Sequence, residues 1–147
     1  MQALTFEHFD QDWVARVAGA RAKRGIDGFL GIVVTDVSPG RLVAEMEVTE
    51  ALLTHIGNMH GGCLSALCDH VLGTVMYPVM PPKHWAATTE FKINLLAPVT
   101  KGVCRASAEI IAMTRRMAVV RIDVENEGRL VAAAQGTCTI VAPRTEG

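Results

Sequence analysis

Asp69 is the only acidic side chain in the long apolar stretch between Gly61 and Val79. An ionised carboxylate in such a stretch costs stability unless it is paired, hydrated or protonated. A carboxylate of this kind can act as a general base or as a nucleophile, with a pKa shifted by burial. A structural aspartate with satisfied hydrogen bonds, or one on a solvent-exposed face, would give the same pattern. Asp69 is therefore a candidate catalytic group, and the structural alternative stays open.

A glycine-rich segment, Gly57-Asn58-Met59-His60-Gly61-Gly62, comes directly before the helix that contains Asp69. The glycine pair leaves backbone N–H groups uncovered at the positive end of the helix dipole. Such donors suit the oxyanion of a tetrahedral intermediate. An ordinary glycine turn into a helix is the alternative interpretation.

The spacing of Gly61 and Asp69 predicts a dimer. Asp69 follows Gly61 by eight residues, which is roughly 12 Å along a helix axis. A single substrate carbonyl cannot contact both groups of one chain. If both act, they come from two chains whose helices run antiparallel, and the small residues Gly62, Ala66 and Gly73 on the side of Asp69 allow that approach. We therefore expect a homodimer with two sites at its interface.

The elements that would position these groups form an α+β pattern. The helix is predicted over Gly61–Val79, ended by prolines, with one apolar face: Leu64, Leu67, Cys68, Val71, Leu72 and Val75. Alternation and turn residues predict six antiparallel strands: Phe29–Val37, Arg41–Val48, Ala86–Leu96, Val103–Met113, Ala118–Asn126 and Leu130–Val141. A helical turn is predicted within 49–54.

The N-terminal part of the chain is predicted to be a short helical lead-in. Asp12 would cap a helix that continues toward Arg24, and Gly25 and Gly28 would end it. No linker or repeat divides the sequence, so residues 1–147 are expected to form a single domain.

Composition excludes several classes of protein. Half of the residues are hydrophobic and 20% are charged, with a net charge of −1, so nothing favours a nucleic-acid partner. No signal peptide and no membrane-spanning run are evident. The four cysteines form no CxxC pair, which favours a cytoplasmic protein with reduced thiols. The high apolar content also favours a buried subunit interface.

The segment His60-Gly61-Gly62, followed by Leu67, Asp69 and Gly73, resembles the helix signature of hotdog-fold thioesterases. It is most similar to the phenylacetic-acid-degradation type, which is related to the 4-hydroxybenzoyl-CoA thioesterases. The strands around 88–98 and 132–139 resemble the family's strand after the helix and its closing strand. The resemblance covers about Gly31 to Val141, and it implies a hotdog fold, in which an antiparallel sheet wraps around one long central helix.

The resemblance also implies an activity. It implies hydrolysis of an acyl-CoA thioester without a metal or a bound cofactor. Asp69 matches the family's catalytic carboxylate and would activate water or attack the thioester directly. The Gly61 N–H would polarise the thioester carbonyl, and His60 would shape the turn.

The chain departs from the family pattern six residues before His60. The family often has Asn or Gln there, to place the water or the leaving group, whereas this sequence has Thr54. A threonine hydroxyl reaches less far, which puts the rate and the substrate in question. Thr88 matches a strand position where the family can place a hydroxyl near the nucleophilic water.

Further residues are candidates for substrate contacts. Asn58 and Gly62 lie in the glycine-rich segment, beside the expected oxyanion donor. Arg115, Arg116 and Lys92 are candidates for the phosphates of CoA, because cations bind phosphate oxygens through charge-assisted hydrogen bonds. A solvated charge pair in a turn is the alternative for the two arginines.

Other functions fit the sequence less well. His55, His60, Asp69 and His70 match no zinc spacing, so no metal site is expected. Cys63 lies in a first helical turn, where a thiolate is favoured, but it points away from Asp69. A hotdog hydratase or dehydratase and a non-catalytic acyl-CoA-binding protein remain as alternatives. The apolar character favours an aromatic or medium-chain acyl group, and a dimer of dimers is expected.

Overall fold

The computed structural model describes residues 4–144, which form an antiparallel sheet of six strands with a long helix against one face. The strands are β1 (Val33–Ser38), β2 (Arg41–Glu47), β3 (Trp85–Leu95), β4 (Val103–Met113), β5 (Met117–Asn126) and β6 (Arg129–Val141). Their order in the sheet is β1-β2-β4-β5-β6-β3. The strand that follows the long helix, β3, therefore lies at one edge of the sheet. The predicted α+β architecture is confirmed.

The two faces of the sheet differ in polarity because strand side chains alternate. On β4, residues such as Ala106 and Ala108 are buried against the helix, whereas Arg105 and Glu109 point outward. Glu109 pairs with Arg121 at 2.7 Å, and Arg105 pairs with Glu45 at 3.0 Å. Exposed pairs of this kind contribute little stability, but they identify the outer face as a polar surface.

The long helix, α3 (Gly61–Thr74), packs its apolar face on the sheet. All six residues predicted for that face are exposed by 3% or less, and burying a side chain of that size stabilises by about 1.5–3 kcal/mol. The helix ends earlier than the predicted Val79. A separate 3-10 turn, Tyr77–Val79, follows it, because Pro78 has no N–H to continue an α-helix.

The first helix, α1 (Gln11–Val17), differs from its prediction at both ends. Its cap is Asp10, whose carboxylate accepts the Trp13 N–H at 2.8 Å; the expected cap, Asp12, lies inside the helix. The helix ends at Val17, because Ala18 already has an extended backbone with ψ 120°, well before the expected end near Arg24.

A second short helix, α2 (Gly25–Leu30), was not predicted, and the expected strand Phe29–Val37 is wrong at its start. Phe29 belongs to α2, and the strand begins only at Val33. The glycine that ends α2 is Gly31, which adopts the left-handed conformation with φ 66°. Gly28 lies inside the helix, where an added Cβ would come within 3.0 Å of a backbone carbonyl oxygen.

The other predicted boundaries agree closely with the structure. The five strands after Val37 begin and end within one residue of their predicted bounds. The predicted turn at 49–54 contains the 3-10 turn Glu50–Leu52. Within residues 4–144, no helix has both the length and the apolar character that a membrane span requires.

Candidate active site

The N-terminus of α3 is shaped by a side-chain cap from His60. Its Nδ1 atom accepts the Gly62 N–H at 2.9 Å, so the hydrogen of the neutral ring is on Nε2. The Gly62 N–H is thereby occupied. In the part of the chain that the structure describes, the Gly61 N–H donates to no protein atom. Gly61 is thus the open donor at this helix end.

The loop before the helix brings Thr54 and Asn58 together. The Thr54 N–H donates to the Asn58 carbonyl at 2.7 Å, and the Thr54 hydroxyl donates to Asn58 Oδ1 at 3.2 Å. Both residues are half-buried. The loop therefore has an amide side chain next to the position where an Asn or Gln was expected, although it comes from four residues later in the chain.

Leu95, at the end of β3, covers Gly61. A Cβ built on Gly61 would lie 2.6 Å from Leu95 Cδ1, so only glycine fits here without a shift of the leucine. Leu95 is 53% exposed. Sequence reasoning missed this residue, and its only signal was an apolar side chain near the end of an edge strand.

Asp69 is exposed on α3, on the side away from the sheet. Asp69 makes no hydrogen bond or ion pair within residues 4–144. Its helix neighbours on this side are small: Gly62, Ala66 and Gly73. We call these three residues and Asp69 the small-residue stripe. A second chain could therefore approach Asp69 closely.

Thr88 lies on the helix-facing side of β3. Its register partner is Cys138, whose thiol donates to the Leu72 carbonyl of α3 at 3.5 Å. Burial raises the pKa of Cys138, a hydrogen bond with Thr88 opposes that rise, and the charge of Asp69 adds to it. Burial, and then the charge of Asp69, raise the pKa of Cys68 to about 12. Thr88 and Asp69 therefore surround the same thiol.

The three candidate phosphate ligands do not lie together. Arg115 and Arg116 occupy the turn between β4 and β5, where the Arg116 N–H donates to the Thr114 hydroxyl at 3.2 Å. Lys92 lies on the outer face of β3, and its Nζ donates to Asn94 Oδ1 at 2.7 Å. Within one chain Lys92 pairs with Gln135 of β6, whereas the arginine turn contacts β6 at Ile140, farther along that strand.

Comparison with known proteins identifies the family. The model of the thioesterase superfamily matches residues 56–133, which include the helix N-terminus, Asp69 and Thr88. The chain belongs to the thioesterase superfamily. The hotdog fold and a thioester-hydrolysing enzyme, both expected from the resemblance, are therefore confirmed.

Individual relatives of this thioesterase agree with that assignment. It is 28% identical over 103 residues to the 1,4-dihydroxy-2-naphthoyl-CoA hydrolase of Listeria monocytogenes, covering 70% of this chain and 84% of the relative. It is 25% identical to human acyl-coenzyme A thioesterase 13, and the match covers 78% of this chain and 84% of that protein. A crystal structure of a phenylacetic acid degradation-related protein from Ralstonia eutropha JMP134 superposes with a TM-score of 0.74 at 28% identity, covering 78% and 88%.

Cys63 does not have the environment of a thioesterase nucleophile. Its Sγ faces the Leu52 carbonyl at 3.9 Å, and burial raises the pKa of its thiol. That direction is opposite to the thiolate expected in a first helical turn. Among the described residues, no three His, Cys, Asp or Glu side chains group as a metal site would require.

Proposed function

We propose that this thioesterase hydrolyses an acyl-CoA to the free acid and CoA in a homodimer, with each site shared between two chains. Asp69 comes from one chain and the Gly61 N–H from the other. The observation that carries the proposal is the pair of unused groups on one chain: an exposed carboxylate and an open backbone donor. They lie roughly 12 Å apart along α3, too far for one carbonyl.

Two surfaces favour this arrangement of chains. The small-residue stripe lets a second α3 approach Asp69. The edge strand β3 has a side without a strand neighbour among the described residues, and an open edge tends to pair with another chain. Two copies placed antiparallel across these surfaces bring Asp69 of each chain toward Gly61 of the other, which gives two equal sites.

The chemistry follows from the two groups. The Gly61 N–H donates to the thioester oxygen and stabilises the charge that develops there. Asp69 either removes a proton from an attacking water or attacks the carbonyl carbon itself. If water attacks, the tetrahedral intermediate collapses, the carbon–sulfur bond breaks, and CoA leaves as the thiol with the proton that Asp69 took from the water. If Asp69 attacks, the same bond breaks to give an acyl–aspartyl anhydride, which a water molecule then hydrolyses to the free acid and the Asp69 carboxylate while its proton goes to the CoA sulfur. The proposed reaction uses no metal and no bound cofactor.

The surrounding residues have supporting roles. The Thr88 hydroxyl, on the helix-facing side of β3, would donate a hydrogen bond to the water. His60 holds the helix N-terminus through Gly62. Thr54 and Asn58 form the loop beside the oxyanion donor and would contact the thioester or its leaving group.

The proposed substrate is a CoA thioester, because relatives are a naphthoyl-CoA hydrolase and an acyl-coenzyme A thioesterase. We still predict that the acyl group of this substrate is aromatic or of medium chain length. Arg115 and Arg116 remain candidates for the phosphates, whereas the position of Lys92 on the outer face of the sheet argues against it. A dimer of dimers and a cytoplasmic location are also predictions.

The test is thiol release from a panel of aromatic and medium-chain acyl-CoAs by wild type and Asp69→Asn. The substitution keeps the shape of the side chain and removes its basicity, so we expect a loss on the order of 10²-fold or more. Asp123→Asn makes the same change at an exposed position on β5 and should keep the wild-type rate.

Other outcomes would select another function. If wild type binds acyl-CoAs and releases no thiol, the protein is a binding module. If wild type instead adds water to the double bond of an enoyl-CoA, as followed by the loss of its absorbance, it is a hydratase. Full activity in Asp69→Asn would show that another group performs the chemistry.

A further inference from the structure

Cys138 is a buried thiol to which the proposed chemistry gives no role. It lies on the helix-facing side of β6 and is 0% exposed. Its thiol donates to the Leu72 carbonyl of α3 at 3.5 Å. Leu72 belongs to the last turn of the helix, whose carbonyls lack intrahelical partners, and the Met76 N–H donates to the Gly73 carbonyl instead. The thiol therefore satisfies a carbonyl at the helix end and ties β6 to α3, three residues after Asp69.

The same sulfur faces Thr88 across the sheet. Cys138 and Thr88 are register partners on β6 and β3, and the Cβ atoms of such a pair lie about 5 Å apart on one face of the sheet. Burial raises the pKa of Cys138, and a hydrogen bond from the Thr88 hydroxyl opposes that rise. A thiol is a weak donor and a weak acceptor. The side chain of Cys138 can therefore contact the helix through its hydrogen and the Thr88 hydroxyl through its sulfur.

The contact on the inner face matters because Thr88 borders a β-bulge. The register of β3 against β6 shifts between Thr88 and Glu90. Thr89 and Glu90 both point to the outer face, where threonine hydroxyls of β6 contact them at 2.7 Å. A bulge leaves one residue unpaired and disrupts the ladder locally, and among the described residues β3 has no strand neighbour on its other side. Backbone pairing therefore holds Thr88 less firmly than a residue inside a regular ladder, and Cys138 adds a side-chain contact at this point.

We propose that Cys138 is a positioning residue, whose sulfur holds the Thr88 hydroxyl at a fixed place relative to α3 and hence to Asp69. The inference rests on the proposed function, in which Thr88 donates a hydrogen bond to the attacking water. The hydroxyl has one hydrogen. The sulfur, a weak acceptor, keeps that hydrogen oriented until the water oxygen, a stronger acceptor, takes its place. Cys138 is not itself the nucleophile, because burial raises the pKa of its thiol and a buried cysteine is inert.

The experiment is a double-mutant cycle on thiol release, with the acyl-CoA that wild type hydrolyses fastest. Cys138→Ala removes both contacts of the thiol, and we expect kcat to fall about fivefold, the size of one neutral hydrogen bond, with KM unchanged. Thr88→Val removes the hydroxyl and keeps the branched shape. In the Thr88→Val background, Cys138→Ala should have no further effect on kcat, because the group that Cys138 positions is already absent.

Two more variants separate positioning from packing. Cys138→Ser keeps a donor for the Leu72 carbonyl and an acceptor for Thr88, so it should restore most of kcat. Cys104→Ala removes another fully buried thiol, on β4, and is the matched control. Chemical denaturation should show a lower free energy of unfolding for Cys104→Ala and for Cys138→Ala, since both lose buried contacts, but Cys104→Ala should keep the wild-type kcat.

Three results would overturn the inference: an unchanged kcat in Cys138→Ala, losses of kcat that add in the double variant, or an equal loss of kcat in Cys104→Ala. Additive losses would mean that Cys138 acts without Thr88, and an equal loss in the control would mean that any lost thiol in the core slows the reaction. Failure of the proposed function gives a different result, since wild type then releases no thiol from any acyl-CoA and the positioning role falls with it. An active wild type with additive losses overturns the positioning role alone.

Discussion

His60 Nδ1 accepts the Gly62 N–H at 2.9 Å, and this contact determines which backbone donor of α3 stays open. The cap uses the second N–H of the helix and leaves the first, that of Gly61. The position of His60 is fixed in turn by its own N–H, which donates to the Leu52 carbonyl at 2.9 Å. The helix end is thus held by its cap and by the preceding loop.

Replacing His60 tests whether the cap is its main role. His60→Ala should lower the free energy of unfolding by about 1 kcal/mol and reduce kcat more than it changes KM, because the donor is no longer held in place. His60→Asn supplies another strong N-cap and should restore most of the free energy of unfolding and most of kcat. Chemical denaturation and thiol release measure the two effects. Equal loss of kcat in both variants would mean that the imidazole contacts the substrate.

Gly61 offers a clean test of the oxyanion donor. Gly61→Pro removes the N–H at the first helical position, where proline is tolerated, and His60 before it has the extended ψ of 133° that a proline requires. We expect kcat to fall roughly 10²- to 10³-fold, as for other lost oxyanion donors. Gly61→Ala keeps the N–H but brings the same Cβ against Leu95, so it is the matched control. If Gly61→Pro and Gly61→Ala lower kcat by the same factor, the loss comes from the Cβ contact with Leu95 and not from the missing N–H.

Cys63 should be dispensable. Because burial raises the pKa of its thiol, the thiolate is less populated at neutral pH than in free cysteine, and it increases only as the pH rises toward that higher pKa. Labelling of Cys63 by a thiol reagent should therefore be slower than that of free cysteine at pH 8 and become faster at higher pH. Cys63→Ala should keep the wild-type rate of thiol release. A folded Cys63→Ala variant without activity would instead identify Cys63 as the nucleophile.

Ala66 lies on the small-residue stripe, and a large charged side chain there should prevent two α3 helices from approaching. We expect Ala66→Arg to give folded monomers, by light scattering and circular dichroism, that release no thiol. Ala112→Arg, at an exposed position on β4, should leave assembly unchanged. An active Ala66→Arg dimer would rule out the stripe as the contact surface.

The long helix and the late strands could be predicted because their patterns are regular. The six apolar positions of α3, such as Leu67 and Val71, repeat with the helical period and are all buried. The strands from Arg41 onward alternate with a period of two. In both cases, residues close together in the sequence are enough to predict the type of element and the face that it buries.

The N-terminal elements could not be predicted in the same way, because their glycines are ambiguous. Gly28 looks like a helix end but allows a close backbone approach, whereas Gly31 ends α2 through its left-handed conformation. The surroundings of the site were also hidden. Leu95 covers Gly61 through a contact between distant segments that no local pattern encodes.

The most direct test of the shared site is complementation between two inactive variants. Asp69→Asn and Gly61→Pro are mixed by reversible unfolding, or coexpressed with different tags. In a hybrid dimer with shared sites, one site carries both substitutions and the other carries neither. With random mixing half of the dimers are hybrids, so we expect recovery of about a quarter of the wild-type thiol release from two inactive parents. No recovery, with hybrids present, would contradict it, because each chain would then contain a complete site of its own.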